Sequence, residues 1–306
     1  MALRSVLLTG ATGHSGQAVL RELVRNGFEV TALVRKPASI EGCRTVVSEL
    51  ARADGVAQEV AGADAIVHLA SPREFDRESA LRDDILGMSH LIAAWRRAGP
   101  FIYVSSPTVH RWWPAAITET GPIDLSNWYD FQKFTNEFQL KLAVASGPGS
   151  GVSLRPGFFF GSSQRRDGRQ FFNDVYQHCR LGGKFVLETE EAADVYGSSF
   201  IGLKDFGRAV CAALSIGVSG PYNVAGGFCT WKDLIAAMNR CAGTRAELVV
   251  RPQARPEAGE FRLFQSRTYL DTDAFQKQTG FVPQQMLEEL IQELITSEAT
   301  AADSKV

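Results

Sequence analysis

The stretch Val6-Leu7-Leu8-Thr9-Gly10-Ala11-Thr12-Gly13-His14-Ser15-Gly16 decides the fold. An apolar run ends in a loop with glycines at 10, 13 and 16. Gln17-Ala18-Val19-Leu20-Arg21-Glu22-Leu23-Val24 then carries apolar residues at helical spacing, and Asn26-Gly27 stops it. Strand, glycine loop and helix in that order suit a bound pyrophosphate. Gly10 permits a tight turn. Gly13 has no side chain to keep the phosphates off the backbone, and Gly16 lets the helix pack closely on the strand. The helix N-terminus offers free N–H groups and a partial positive charge to the anion. Thr12, His14 and Ser15 complete this cradle.

Outward from this loop, short apolar runs alternate with helical stretches. Strands are expected at 28–34, 44–47, 65–69, 101–104 and 152–154, and helices at 51–60, 82–97 and 129–145. The alternation predicts βαβ units and a doubly wound parallel α/β sheet of Rossmann type, with ligands outside the carboxyl ends of the strands. A dinucleotide-binding domain is expected over 1–160, with a return to the sheet near 196–227. Residues 161–195 and 228–295 are read as a smaller C-terminal substrate part, and the small, polar tail 296–306 as disordered.

Composition narrows the function. The chain has 306 residues and a net charge of -2, so it carries no basic footprint for nucleic acid or anionic lipid. No apolar run reaches the roughly 18–20 residues that span a bilayer. The first strand begins at once, with no signal-peptide pattern ahead of it. Five scattered cysteines form no metal-spaced cluster and fit reduced thiols in a cytoplasmic protein, so no metal is expected.

Two further features carry chemistry. The second strand ends in Arg35-Lys36 with no acid near, nineteen residues past Gly16. A basic strand end there favours the 2′-phosphate of NADP(H) over the free hydroxyl of NAD(H). Tyr129-Asp130-Phe131-Gln132-Lys133 places a phenol and an ammonium one helical turn apart. The ammonium stabilises the phenolate, which suits the tyrosine to general acid/base work. Twenty-three residues before Tyr129 the strand Phe101-Ile102-Tyr103-Val104 ends in Ser105-Ser106, where a hydroxyl can hold a substrate oxygen.

In this order and spacing, the motifs resemble the extended short-chain dehydrogenase/reductase family, with its NAD(P)-dependent epimerases and dehydratases, over roughly residues 4–295. The resemblance implies about seven parallel strands and a small C-terminal substrate domain. It makes Ser106 the catalytic hydroxyl, with adjacent Ser105 as the alternative, and gives Tyr129 and Lys133 the acid/base and ribose-holding roles. His68-Leu69-Ala70-Ser71 matches a segment lining the cofactor, so Leu69, Ala70 and Ser71 are expected there. Leu154-Arg155-Pro156-Gly157 matches the loop that meets the nicotinamide end, through Pro156 and Gly157. Glu49 and Leu50 follow the third strand, where the adenine is met; the family usually has aspartate at the first of these. Asp84 stands where the family usually has asparagine, and His110-Arg111 where it has Tyr-Gly, so a relay built on asparagine is not expected. Ser71, His110, Trp112, Phe158 and Phe159 are expected to line the substrate, with Trp113, Phe160, Phe171 and Phe172 near. Extended members often dimerise through the two long helices, here 82–97 and 129–145, which implies a homodimer.

The favoured reading is a reductase for a ketone or aldehyde of a small, apolar or aromatic metabolite, or the reverse oxidation. An NAD(P)-dependent nucleotide-sugar epimerase is the alternative. The dehydratase variant lacks its Asp-Glu pair, since Pro107-Thr108 stand there. A non-catalytic NADP(H) sensor is the third reading, although such proteins often lose the tyrosine or lysine kept here.

Overall fold

The structure is a computed structural model that describes residues 3–72, 76–95, 99–110, 115–161, 171–187, 189–251 and 266–303. Its frame begins with β1 (Ser5–Thr9), α1 (His14–Arg25), β2 (Glu29–Val34), β3 (Arg44–Val47), α2 (Ala57–Ala61) and β4 (Ala65–His68). A helical segment follows in three parts: α3 (Arg77–Ser79), a π-helical turn over Ala80–Ile85, and α4 (Leu86–Ala94). Then come β5 (Phe101–Val104), α5 (Trp128–Ala145) and β6 (Gly151–Pro156). The expected helix at 82–97 therefore starts earlier and widens at its centre. Nothing in the sequence pattern marks this local change of pitch.

The C-terminal half holds β7 (Phe158–Phe160), α6 (Phe171–Arg180), β8 (Lys184–Leu187), α7 (Glu190–Val195), β9 (Gly197–Gly202) and α8 (Leu203–Ala213). It continues with β10 (Gly220–Val224), β11 (Gly227–Thr230), α9 (Trp231–Ala242), β12 (Glu247–Val250), β13 (Arg267–Thr268), α10 (Asp273–Thr279) and α11 (Leu287–Asp303).

Seven parallel strands form the main sheet in the order β10-β6-β5-β4-β1-β2-β3. Strands β4, β5 and β6 are buried at every position, because a parallel sheet is covered on both faces. Side chains alternate between two cores. Val6, Leu8, Val67 and Ile102 join Leu20 and Leu23 of α1 and Phe206 and Val210 of α8. Leu7, Ile66, Phe101 and Tyr103 join Met88 and Leu91 of α4 and Leu140 of α5. Helices α1 and α8 therefore cover one face, and α4 and α5 the other.

Of the expected return near 196–227, only β10 enters this sheet. Strand β9 instead pairs with β7, β11 and β13 in a second sheet of four strands. That sheet packs with α6, α9 and α11 around a separate core that includes Phe160, Phe172, Phe185, Trp231 and Leu290. Buried Asp205 in α8 accepts the backbone N–H groups of Gln284 and Gln285 and so fixes the approach to α11. Helix α11 runs through Asp303, into the stretch expected to be disordered. Ala299, Ala301 and Ala302 have high helix propensity, and the helix continues from a packed base at Leu290, Ile291 and Leu294.

Candidate active site

The glycine loop joins β1 to α1 as expected. Gly10 has φ 77°, and a Cβ there would lie 2.7 Å from Ala70 N. A Cβ on Gly16 would lie 2.0 Å from Gly10 O, so helix and loop touch backbone to backbone. Gly13 caps α1 without a side-chain bond, and the first turn holds no acid. The N-terminal N–H groups are thus left for an outside acceptor, which is what a dinucleotide pyrophosphate needs. Arg35, Lys36 and Glu49 are exposed beside this end of the sheet, while Leu50 is half-buried. His14 is half-buried, and burial lowers its pKa. The residues fit a dinucleotide: the loop would hold its phosphates, and Arg35 and Lys36 its adenosine end.

His68 ends β4, neighbouring β1, with 1% exposure. Thr9 Oγ1 accepts the Ala70 N–H at 3.1 Å and is hydrogen-bonded to His68 Nδ1 at 2.6 Å. Burial, and then the charge of Lys133, lowers the His68 pKa to about 3. Ser71 is half-buried, and its hydroxyl is taken up between Gln132 Nε2 and Asp84 Oδ2, each at 3.1 Å.

Asp84 lies in the π-helical turn with 1% exposure. Asn136 Nδ2 donates to its Oδ1 at 2.5 Å. Burial pushes the Asp84 carboxyl up, opposed by Lys133 and these hydrogen bonds. Tyr103 completes the network, with its hydroxyl 3.4 Å from Asn136 Nδ2.

Lys133 and Tyr129 come together as the spacing predicts. Lys133 has 3% exposure, donates to Val104 O at 3.1 Å, and places Nζ 5.7 Å from the centroid of the half-buried Tyr129 ring. The two serines separate. Ser105 N–H donates to Leu154 O, and its buried Oγ has no partner among the described residues. Ser106 caps the 3-10 turn Pro107–Val109 and bonds Thr108 Oγ1 at 2.9 Å. Thr108 Oγ1 donates in turn to Asp130 Oδ1 at 2.6 Å. Ser106 is therefore the serine linked to the helix end that carries Tyr129.

Other expected residues lie elsewhere. His110 has 1% exposure. Arg155 Nη1 donates to its Nε2 at 2.7 Å, which leaves Nδ1–H for Pro122 O at 3.3 Å. Burial and the Arg155 charge lower its pKa to about 4. With both nitrogens engaged, the ring presents nothing to a substrate; sequence gave no sign of a partner 45 positions away. Arg155 is also bidentate on Glu137, at 2.9 and 2.5 Å. Pro156 and Gly157 are buried, and the Gly157 N–H is spent on Val224 O. Phe160 stacks on Phe172 at 4.2 Å in the second core, and Phe159 packs on Phe206 at 4.7 Å. Of that aromatic group, Phe158 and Phe171 stay half-buried together, while Trp112 and Trp113 lie outside the described residues. A cleft of about 400 Å³ at the end of β10 is lined by Ser199, Phe228, Tyr269 and Asp271, and by none of Ser106, Tyr129 or Lys133. No helix among the described residues is long and apolar enough to cross a membrane.

Known proteins are similar to this chain in sequence and fold. The profile described as "NAD dependent epimerase/dehydratase family" matches residues 6–225. A sterol-4-alpha-carboxylate 3-dehydrogenase (decarboxylating) of Dictyostelium discoideum is 28% identical over 47% of this chain and 49% of its own length. A 2-alkyl-3-oxoalkanoate reductase of Stenotrophomonas maltophilia is 28% identical over 53% and 52%. The chain spans about half the length of these curated relatives. A UDP-glucose 4-epimerase from Stenotrophomonas maltophila with bound NAD superposes with TM-score 0.82 at 17% identity, covering 99% of this chain and 100% of that one. A Thermus thermophilus UDP-glucose 4-epimerase complexed with NAD gives 0.76 at 21% identity, covering 97% and 99%. At such identities the likeness shows the fold alone.

Proposed function

Since the chain belongs to the NAD dependent epimerase/dehydratase family, we propose that it is an NADP(H)-dependent oxidoreductase. It reduces a ketone or aldehyde of a small, apolar or aromatic metabolite, or oxidises the corresponding alcohol. What supports this reading is that Lys133 Nζ lies 5.7 Å from the Tyr129 ring centroid and bonds Val104 O at the end of β5, while Ser106, two residues on, is tied through Thr108 to Asp130 beside Tyr129. The relatives named for sterol-carboxylate and 3-oxoalkanoate substrates support an apolar carbonyl or alcohol over a nucleotide sugar.

A nicotinamide dinucleotide held by the glycine loop would supply or accept the hydride. Ser106 holds the substrate oxygen. Tyr129 gives that oxygen a proton in reduction and takes it in oxidation. Lys133, fixed by Val104 O, stabilises the phenolate and holds the ribose. Exposed Phe131, Phe138 and Leu142 on α5, with Leu86 on α4, support a homodimer through these helices.

The test is a titration of the protein with NADPH and NADH, read by energy transfer from tryptophan. NADPH should bind more tightly, and Arg35→Ala should weaken it about tenfold or more, the scale of a hydrogen bond to a charged group. Tighter NADH binding refutes the NADP(H) assignment. Tyr129→Phe should keep NADPH binding and lose about 10²–10⁴-fold in turnover of a carbonyl substrate; retained turnover refutes the catalytic assignment.

A further inference from the structure

The Ser106 hydroxyl ends in a buried carboxylate. Thr108 has one hydroxyl hydrogen, and it goes to Asp130 Oδ1 at 2.6 Å. The 2.9 Å bond between Ser106 and Thr108 must then use the hydrogen of Ser106. Ser106 Oγ also accepts the Thr108 N–H at 3.3 Å. One lone pair is left for a substrate, and no hydrogen. Asp130 has 2% exposure and also accepts from Asn127 Nδ2 at 2.6 Å and Ser126 Oγ at 3.3 Å.

We infer that Asp130 is a positioning residue that sets the hydrogen direction of Ser106 through Thr108. This rests on the reading of Ser106 as the residue that holds the substrate oxygen. With Asp130 ionised, Ser106 accepts, and it suits an alcohol. With Asp130 protonated, its O–H donates to Thr108 Oγ1, the Thr108 hydroxyl turns to Ser106, and the Ser106 hydroxyl turns outward to a carbonyl oxygen. One proton enters at Asp130 and every other move is a hydroxyl rotation, so no bond in the chain is broken.

Burial pushes the Asp130 carboxyl up from its ordinary value, against the Thr108, Ser126 and Asn127 donors. Those donors are uncharged. The titratable neighbours are Tyr129 and Lys133 on α5, Asp124 on the loop before it, and neutral His110 after the 3-10 turn. A helix cap alone explains the bond from Asp130 N–H to Asn127 Oδ1. It does not explain a carboxylate tied to Ser106 through the neighbouring turn.

The first arm of the test needs no cofactor. Carboxyl ¹³C resonances of aspartate-labelled protein are followed against pH, with Asp130 assigned by its loss in Asp130→Asn. Thr108→Val removes a donor to the carboxylate and should raise the Asp130 midpoint by about one unit. Ser106→Ala should move it the same way by a smaller amount, a change that a helix cap would not give. A midpoint left unmoved by both substitutions overturns the inference. With NADPH and an aryl alkyl ketone, reduction should fall as pH rises through the Asp130 midpoint. Asp130→Asn, whose amide donates to Thr108 permanently, should erase that limb. If Ser106→Ala leaves the turnover intact, the catalytic reading fails; if only the coupled shifts are missing, the inference fails by itself.

Discussion

Two glycines of the loop, Gly13 and Gly16, separate binding from folding. A Cβ on Gly16 would sit 2.0 Å from Gly10 O and 2.8 Å from Gly10 C. Side chains do not approach backbone oxygen much closer than 3 Å, so Gly16→Ala forces α1 to retreat from the loop by about 1 Å. Such overpacking costs about 1–3 kcal/mol, and a 1 Å misplacement of binding groups costs on the order of 10²-fold. Gly13→Ala differs. Its Cβ would meet only Gly10 O, at 3.2 Å, and its φ of -79° and ψ of 170° suit any residue. Stability should stay within about 0.5 kcal/mol of the parent. On the proposed reading the new methyl would stand where the phosphates approach the backbone, so NADPH affinity should fall about tenfold or more, roughly 1.4 kcal/mol. Urea unfolding gives the stabilities, and tryptophan-to-NADPH energy transfer gives the affinities. Gly13→Ala binding NADPH like the parent would refute the cradle, and Gly16→Ala keeping both properties would refute the backbone contact.

Two other predictions concern the buried charges. His110 and His68 stay neutral in the fold to about 4 and about 3, against 6.5 when unfolded. Between these values the unfolded chain binds the extra protons, so their contribution is complete above pH 6.5 and lost as pH falls, by about 1.4 kcal/mol per unit for each histidine. Urea unfolding should show His110→Gln with a shallower slope between pH 6.5 and 5; an identical slope would refute the neutral ring. Arg155→Met strips buried Glu137 and His110 Nε2 of their donor and should cost about 3–5 kcal/mol. The double change Arg155→Met/Glu137→Leu should cost less than Arg155→Met alone, and a larger loss in the double variant speaks against the pair.

The parts of this protein legible in sequence are those written within a few residues. The Gly10–Gly16 loop, the runs at β3 and β5, and the Tyr129–Lys133 spacing all depend on local geometry. The parts that were not legible depend on partners far along the chain. Strand β9 has the pattern of a strand, but nothing local says that it joins β7 and β11 rather than the main sheet. His110 reads as a site histidine until Arg155 is placed against it.

Helix α5 shows the physical reason most clearly. Its apolar residues would ordinarily mark the inward face, yet Phe131, Phe138 and Leu142 are exposed. Inward stand Gln132, Lys133, Asn136 and Glu137, and only beyond them Leu140 and Ala143. Burying polar groups is costly unless each finds a partner. Here each side chain finds one: Ser71 for Gln132, Val104 O for Lys133, Asp84 for Asn136 and Arg155 for Glu137; Gln132 Oε1 alone among them has no partner among the described residues. None of these partners lies on α5. A hydrophobicity pattern alone would turn this helix the wrong way round, and Tyr129–Lys133 away from β5. The inward polar residues run from Gln132 to Glu137, on the part of α5 nearest the end of β5, and Leu140 and Ala143 restore an apolar contact beyond them.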